Sequence, residues 1–161
     1  MGRPVYGTAQ VIHSSAARPR CRAVAPAAGG SGVGMFMVLE IESGVTLDDV
    51  AATLWSLNLP SEVGRNIWGG LLPGCRCGFG FKLHPVPLEV GVRGMEVDWR
   101  VGLTMTFHFR AAHMLRSLHE IYRLIEVFAA QHRHRFVLSF QYERVYAVRD
   151  ETGLDLVWKI S

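Results

Sequence analysis

No stretch of this 161-residue chain stays apolar for the ~20 positions that a membrane-spanning helix needs, because charges or glycines interrupt every run. The sequence therefore reads as soluble, with no membrane partner. Cysteine is scarce: three residues, an odd number, make no disulfide framework and point to a reducing, cytoplasmic setting. Acidic residues are missing from residues 1–34, where Arg3, Arg18, Arg20 and Arg22 stand uncompensated. The remainder balances 13 basic residues against 14 acidic ones, so no concentrated basic face is expected and nucleic acid is disfavoured as a ligand.

Several catalytic signatures are absent as well. Glycines are frequent between Gly64 and Gly80, yet no window matches the phosphate-cradling G-x-x-x-x-G-K-[ST], and the dinucleotide fingerprint fails too. No serine sits in a G-x-S-x-G elbow. Cys75, Cys77 and His84 are the best metal candidates by donor chemistry. They lack the C-x2–4-C spacing and the matched second pair of structural zinc sites, so neither metal nor cofactor is expected. On an extended strand, Cys75 and Cys77 read instead as two small apolar residues on one face.

What is present divides into a leader and one domain. Residues 1–34 are rich in Ala, Gly, Arg, Pro and Ser and read as a flexible basic leader. An over-extended start, with Met35 or Met37 beginning the domain, is preferred to a transit peptide. Residues 35–161 read as a single α+β domain. Met35–Glu42 is a short strand. Thr46 then caps a helix that buries Val50, Leu54 and Leu57 and stops at Pro60, with Asp48 and Asp49 at its positive end. Ser61–Gly70 reads as a second, short helix anchored by Ile67 and Trp68, and Cys77–Leu83 and Val86–Val92 as two strands.

From Val97 to Phe109 apolar and polar residues alternate strictly, which places Trp99 and Phe107 on the core face of a long strand and His108 on the polar face. An amphipathic helix follows from about Ala111 to Gln131, then strands Phe136–Val148 and Leu154–Ile160 joined by a turn at Asp150–Gly153. The fold expected is a mostly antiparallel sheet with helices on one face, with two βαββ units as one way to divide it.

The run from Phe136 to Asp150, with the helix before it, resembles the C-terminal halves of small bacterial immunity proteins that neutralise toxins of contact-dependent and polymorphic secretion systems. The resemblance implies a non-catalytic module binding a protein partner, such as a toxin domain, and carries over no binding residue by position; the mixed-charge aromatic stretch Gln141–Arg149 supplies the expected contacts, Gln141, Glu143, Arg144, Tyr146 and Arg149. Many such proteins are acidic, and this balanced domain departs from that habit. Two alternatives stand beside it. One is a small enzyme or ligand-binding domain, with a pocket between helix and sheet around His108 and using Tyr142 or Glu143. The other is a structural homo-oligomer, which leaves a homodimer open. A deep polar-lined pocket favours the ligand-binding alternative, and a flat exposed aromatic patch favours the protein partner.

Overall fold

The computed structural model describes residues 34–59, 61–63 and 68–159; the leader up to Val33, Pro60 and Ile67 lie outside the described residues. The order is β1 (Gly34–Glu42), α1 (Leu47–Ser56), β2 (Ser61–Val63), β3 (Trp68–Leu72), β4 (Cys77–Leu88) and β5 (Val101–Arg110), then α2 (Met114–Gln131), β6 (Phe136–Phe140), β7 (Arg144–Arg149) and β8 (Leu154–Leu156). All eight strands join one sheet in the order β2-β3-β4-β5-β1-β6-β7-β8, and every pairing is antiparallel. The fold is the expected α+β class. Each half runs strand, helix, three strands, rather than two.

Local chemistry accounts for the elements. Thr46 caps α1 in a capping box: its hydroxyl accepts the Asp49 N–H at 3.2 Å while its own N–H donates to the Asp49 carboxylate at 2.8 Å. The helix is already over at Ser56, and Asn58 at φ 53° turns the chain away. On α2, Leu118, Ile121, Ile125 and Phe128 recur at helical spacing and are all buried, each contributing roughly 1.5–3 kcal/mol by leaving water. They pack on Met37, Leu39 and Ile41 of β1 and on Leu103, Met105 and Phe107 of β5, in one core that also takes Val50 and Leu54 of α1. Both helices therefore cover the same face. Thr53 and Ser56 of α1 bond the Gln131 amide and tie the two helices together.

Four expectations are corrected. Within the expected short helix at Ser61–Gly70, Ser61–Val63 is β2 and Trp68–Gly70 begins β3, because Gly69 and Gly70 have little helix propensity and β3 pairs with β2 and β4. The two strands around His84-Pro85 are one strand, β4, whose pairing with β5 is offset between Leu83 and Leu88 so that the prolines take no ladder position. The long alternating strand begins at Val101, which leaves Trp99 half-buried in the irregular segment before it. Finally, Phe136–Val148 is two strands. The chain reverses at Gln141 (φ 52°) and Tyr142 (φ 61°), with the Glu143 N–H donating to the Phe140 carbonyl at 2.9 Å. The expected turn at Asp150–Gly153 is present: the Asp150 carboxylate accepts the Thr152 N–H at 2.7 Å, and Gly153 adopts φ 142°.

Candidate functional site

The sheet face away from the helices is built from the alternate residues of the same strands. Pairing aligns them in rows: Lys82 with Thr104 and Glu40, Gly80 with Thr106 and Val38, Gly78 with His108 and Phe36. The irregular segment 89–100 crosses part of this face. It is held where the Gly91 N–H donates to Glu40 Oε1 at 2.9 Å and the Arg93 N–H donates to the Tyr142 carbonyl at 2.8 Å. The uncovered part is an open cavity of about 1080 Å³, lined by side chains that include Glu40, Lys82, His84, Thr104, His108 and Tyr142.

Glu40 is the unusual member. It lies in the middle of a strand with apolar neighbours on both sides and is 4% exposed. One carboxylate oxygen accepts from Gly91, and the other has no hydrogen-bond partner. Burial pushes its carboxyl above the ordinary value, against the lowering effect of the Gly91 bond. The Tyr142 ring closes over the same spot: a Cβ on Gly91 would come within 2.9 Å of that ring and 3.3 Å of Glu40 Oε1, so only glycine lets the three groups meet. Burial and then the Glu40 charge raise the Tyr142 phenol in turn. The positive-φ turn at Gln141-Tyr142 is what delivers this ring to the open face.

At the far end of the row, His84 Nε2 lies 2.9 Å from Thr104 Oγ1 across the β4–β5 pairing. Burial, then the charge of Lys82, lower the His84 imidazole and favour its neutral form. Phe36 stands between His108 and Tyr142, with ring centroids at 6.1 and 6.4 Å.

Of the residues expected to contact a partner, Gln141, Glu143 and Arg144 lie together at the β6–β7 turn, while Tyr146 and Arg149 turn away from the surface. Tyr146 is buried at 3% exposure and stacks on Trp158, and its carbonyl, like that of Trp158, accepts from the Tyr122 hydroxyl. It is a core residue, which corrects its assignment as an exposed contact. Arg149 turns inward to the carbonyls of His132 and His134. Gln141 is half-buried in the β6–β7 turn, and only Glu143 and Arg144 are exposed.

His108 does lie at a cavity, but on the face opposite the helices, not between helix and sheet as expected. Tyr142 joins it there. Glu40 was missed; its signal is a carboxylate within Met37-Val38-Leu39-Glu40-Ile41, sharing a face with apolar Val38, which marks both faces as covered. Cys75 and Cys77 are buried in the helix-side core, where burial raises the Cys77 thiol to about 12, while His84 faces the cavity. Among the described residues no three His, Cys, Asp or Glu side chains group as metal ligands, and no helix is long and apolar enough to cross a membrane.

No family model, curated protein or solved structure matches the chain.

Proposed function

We propose that this domain binds a small molecule in the cavity on the open sheet face, beside the buried Glu40 carboxyl that shapes its wall. The observation that carries the reading is Glu40 itself. A carboxyl at 4% exposure with one oxygen unpartnered is costly in an apolar setting, and such groups persist where they serve a site. A strained turn at the same place supports the reading, since Gln141 and Tyr142 both hold a conformation that non-glycine residues avoid. The toxin-neutralising reading loses its aromatic anchor with Tyr146 in the core, and Glu143 and Arg144 alone make a small part of an interface of about 800 Å² per partner.

The test is a fragment screen by amide NMR on the full chain, repeated on Gly78→Leu. A side chain at Gly78 points into the cavity, where its Cβ would meet only the Leu71 side chain, at an ordinary contact of 3.9 Å. Fragments that shift the amides of Thr104, Thr106 and His108 should lose that effect in Gly78→Leu while its melting temperature is kept. A screen with no binder at these amides, or binders indifferent to the filled floor, overturns the proposal.

A further inference from the structure

Resting on the reading of the open-face cavity as a ligand site, we infer that its occupant is a small amphipathic carboxylate. Its anionic end meets Lys82 and Thr104, and its apolar body lies over Gly78 and Gly80 towards His108.

The charges lining the cavity lead to this class. Two acids are present, and neither pairs with a lysine of the lining. Glu89 accepts from Arg100 Nη1 at 3.0 Å. Glu40 is sealed under Tyr142 and Gly91, where burial favours its neutral form. Lys82 is the one lysine or arginine among the lining residues. It is exposed at the cavity wall, no carboxylate pairs with it among the described residues, and it is one of only two lysines in the chain, the other being Lys159. An uncompensated cation beside a cavity attracts an anion, and a cationic ligand would face it as a like charge.

Hydrogen bonding adds to the charge. With its Nε2 protonated, neutral His84 donates to Thr104 Oγ1, which leaves the threonine hydroxyl proton free for a ligand oxygen next to Lys82. A carboxylate accepts from both.

The floor sets the shape of the rest. From the Lys82–Thr104 row to the Gly78–His108 row is four residues along the strands, about 13 Å at the usual rise. Gly78 and Gly80 place no side chain between these rows, so a ring can lie close to the backbone there, with the His108 imidazole at its far edge. A carboxylate on a short chain ending in a ring fits within that distance, its carboxylate reached by the Lys82 side chain.

Three probes with the same phenylpropyl skeleton separate the class from the site: 3-phenylpropionate, 3-phenylpropanamide and 3-phenylpropylamine, titrated into the labelled full chain and followed at the amides of Thr104, Thr106 and His108. The carboxylate should bind most tightly and the amine most weakly. Lys82→Met keeps the apolar stem and should weaken the carboxylate by up to about fivefold, the value of one exposed ion pair, while leaving the amide unchanged. Lys82→Arg should restore the preference. If the amine binds best, or the amide matches the carboxylate in the unmodified chain, the class is wrong although the cavity still binds ligands. If none of the three perturbs these amides while fragments of other chemistry do, the class also fails and the site reading stands. If no probe or fragment perturbs them, both fail together.

Discussion

Glu42 and Arg135 meet at the end of the β1–β6 pairing, with Nε and Nη2 of the guanidinium on one carboxylate oxygen at 3.2 and 2.6 Å and the Arg135 N–H on the other at 3.1 Å. The remaining guanidinium nitrogen reaches Asp98 at 2.9 Å and Glu151 at 2.7 Å. One side chain thus ties the segment crossing the open face, and the turn before β8, to the central strand. Asp98 and Glu151 are exposed and add little individually, so the bond to Glu42 dominates.

Arg135→Met is expected to lower the urea midpoint and to change the response to acid. Hydrogen bonds from Arg135, working against burial, hold the Glu42 carboxyl below its ordinary value of 4.5. A lowered folded value means stability that is present above 4.5 and lost as pH falls through the folded value. The variant should therefore lose less stability than the unmodified chain on going from pH 6 to pH 3. Parallel acid limbs in the two proteins would show that the pair does not set the pH response.

Glu40→Gln is expected to act in the opposite sense. The folded value of Glu40 is raised, so its contribution is fully present below the unfolded value and is lost as pH rises through the folded one. Glutamine keeps the carbonyl that accepts from Gly91 and carries no charge. The variant should therefore be more stable than the unmodified chain at pH 7 and close to it at pH 4. Thermal melts at the two pH values read this directly, and an equal difference at both means that Glu40 does not titrate between them.

Core truncation should follow strand position rather than residue size. Phe107 is 0% exposed on β5, and Phe107→Ala is expected to cost about 3–5 kcal/mol. Trp99 is larger but half-buried outside the strand, so Trp99→Ala should cost clearly less in the same urea melts. The reverse order would mean that the inward register begins before Val101.

The β6–β7 turn holds strain that a single substitution can release. Asparagine tolerates positive φ better than glutamine, so Gln141→Asn should stabilise the domain by about 0.5–1 kcal/mol in urea unfolding. A loss of stability would show that the Gln141 side chain contributes more than its backbone costs.

Legibility in the sequence followed the strength of each local signal. The period-2 run through β5, the helical spacing of α2 and the Thr46–Asp49 cap are local patterns, and the structure keeps all three. The turn at Gln141-Tyr142 has neither glycine nor asparagine, so the alternation from Phe136 read straight through it as one strand. Its conformation is imposed from outside, where the Gln141 N–H meets the Phe36 carbonyl and the Tyr142 carbonyl meets Arg93. β2 and β3 were hidden for a related reason, since three residues of β2 and the glycines of β3 show no period, and each becomes strand through pairing, β2 with β3 and β3 with β4. His108 was visible as a candidate because it sits within the strongest pattern. Glu40 needed knowledge that a second layer, segment 89–100, covers its face.

The position of β1 between β5 and β6 also constrains how the chain reaches this state. Met37 pairs with Phe107 on one side and Phe140 on the other, residues that emerge roughly 70 and 100 positions later during synthesis. Until they arrive, Met-Phe-Met-Val-Leu has both edges open, and an unpaired apolar strand is a template for joining other chains. Closing the centre of the sheet is therefore a late, long-range step, and folding should be slow for a domain of this size. The α1 cap and the β6–β7 hairpin can form at once, but the sheet that carries the cavity exists only when its first strand has found its last partner.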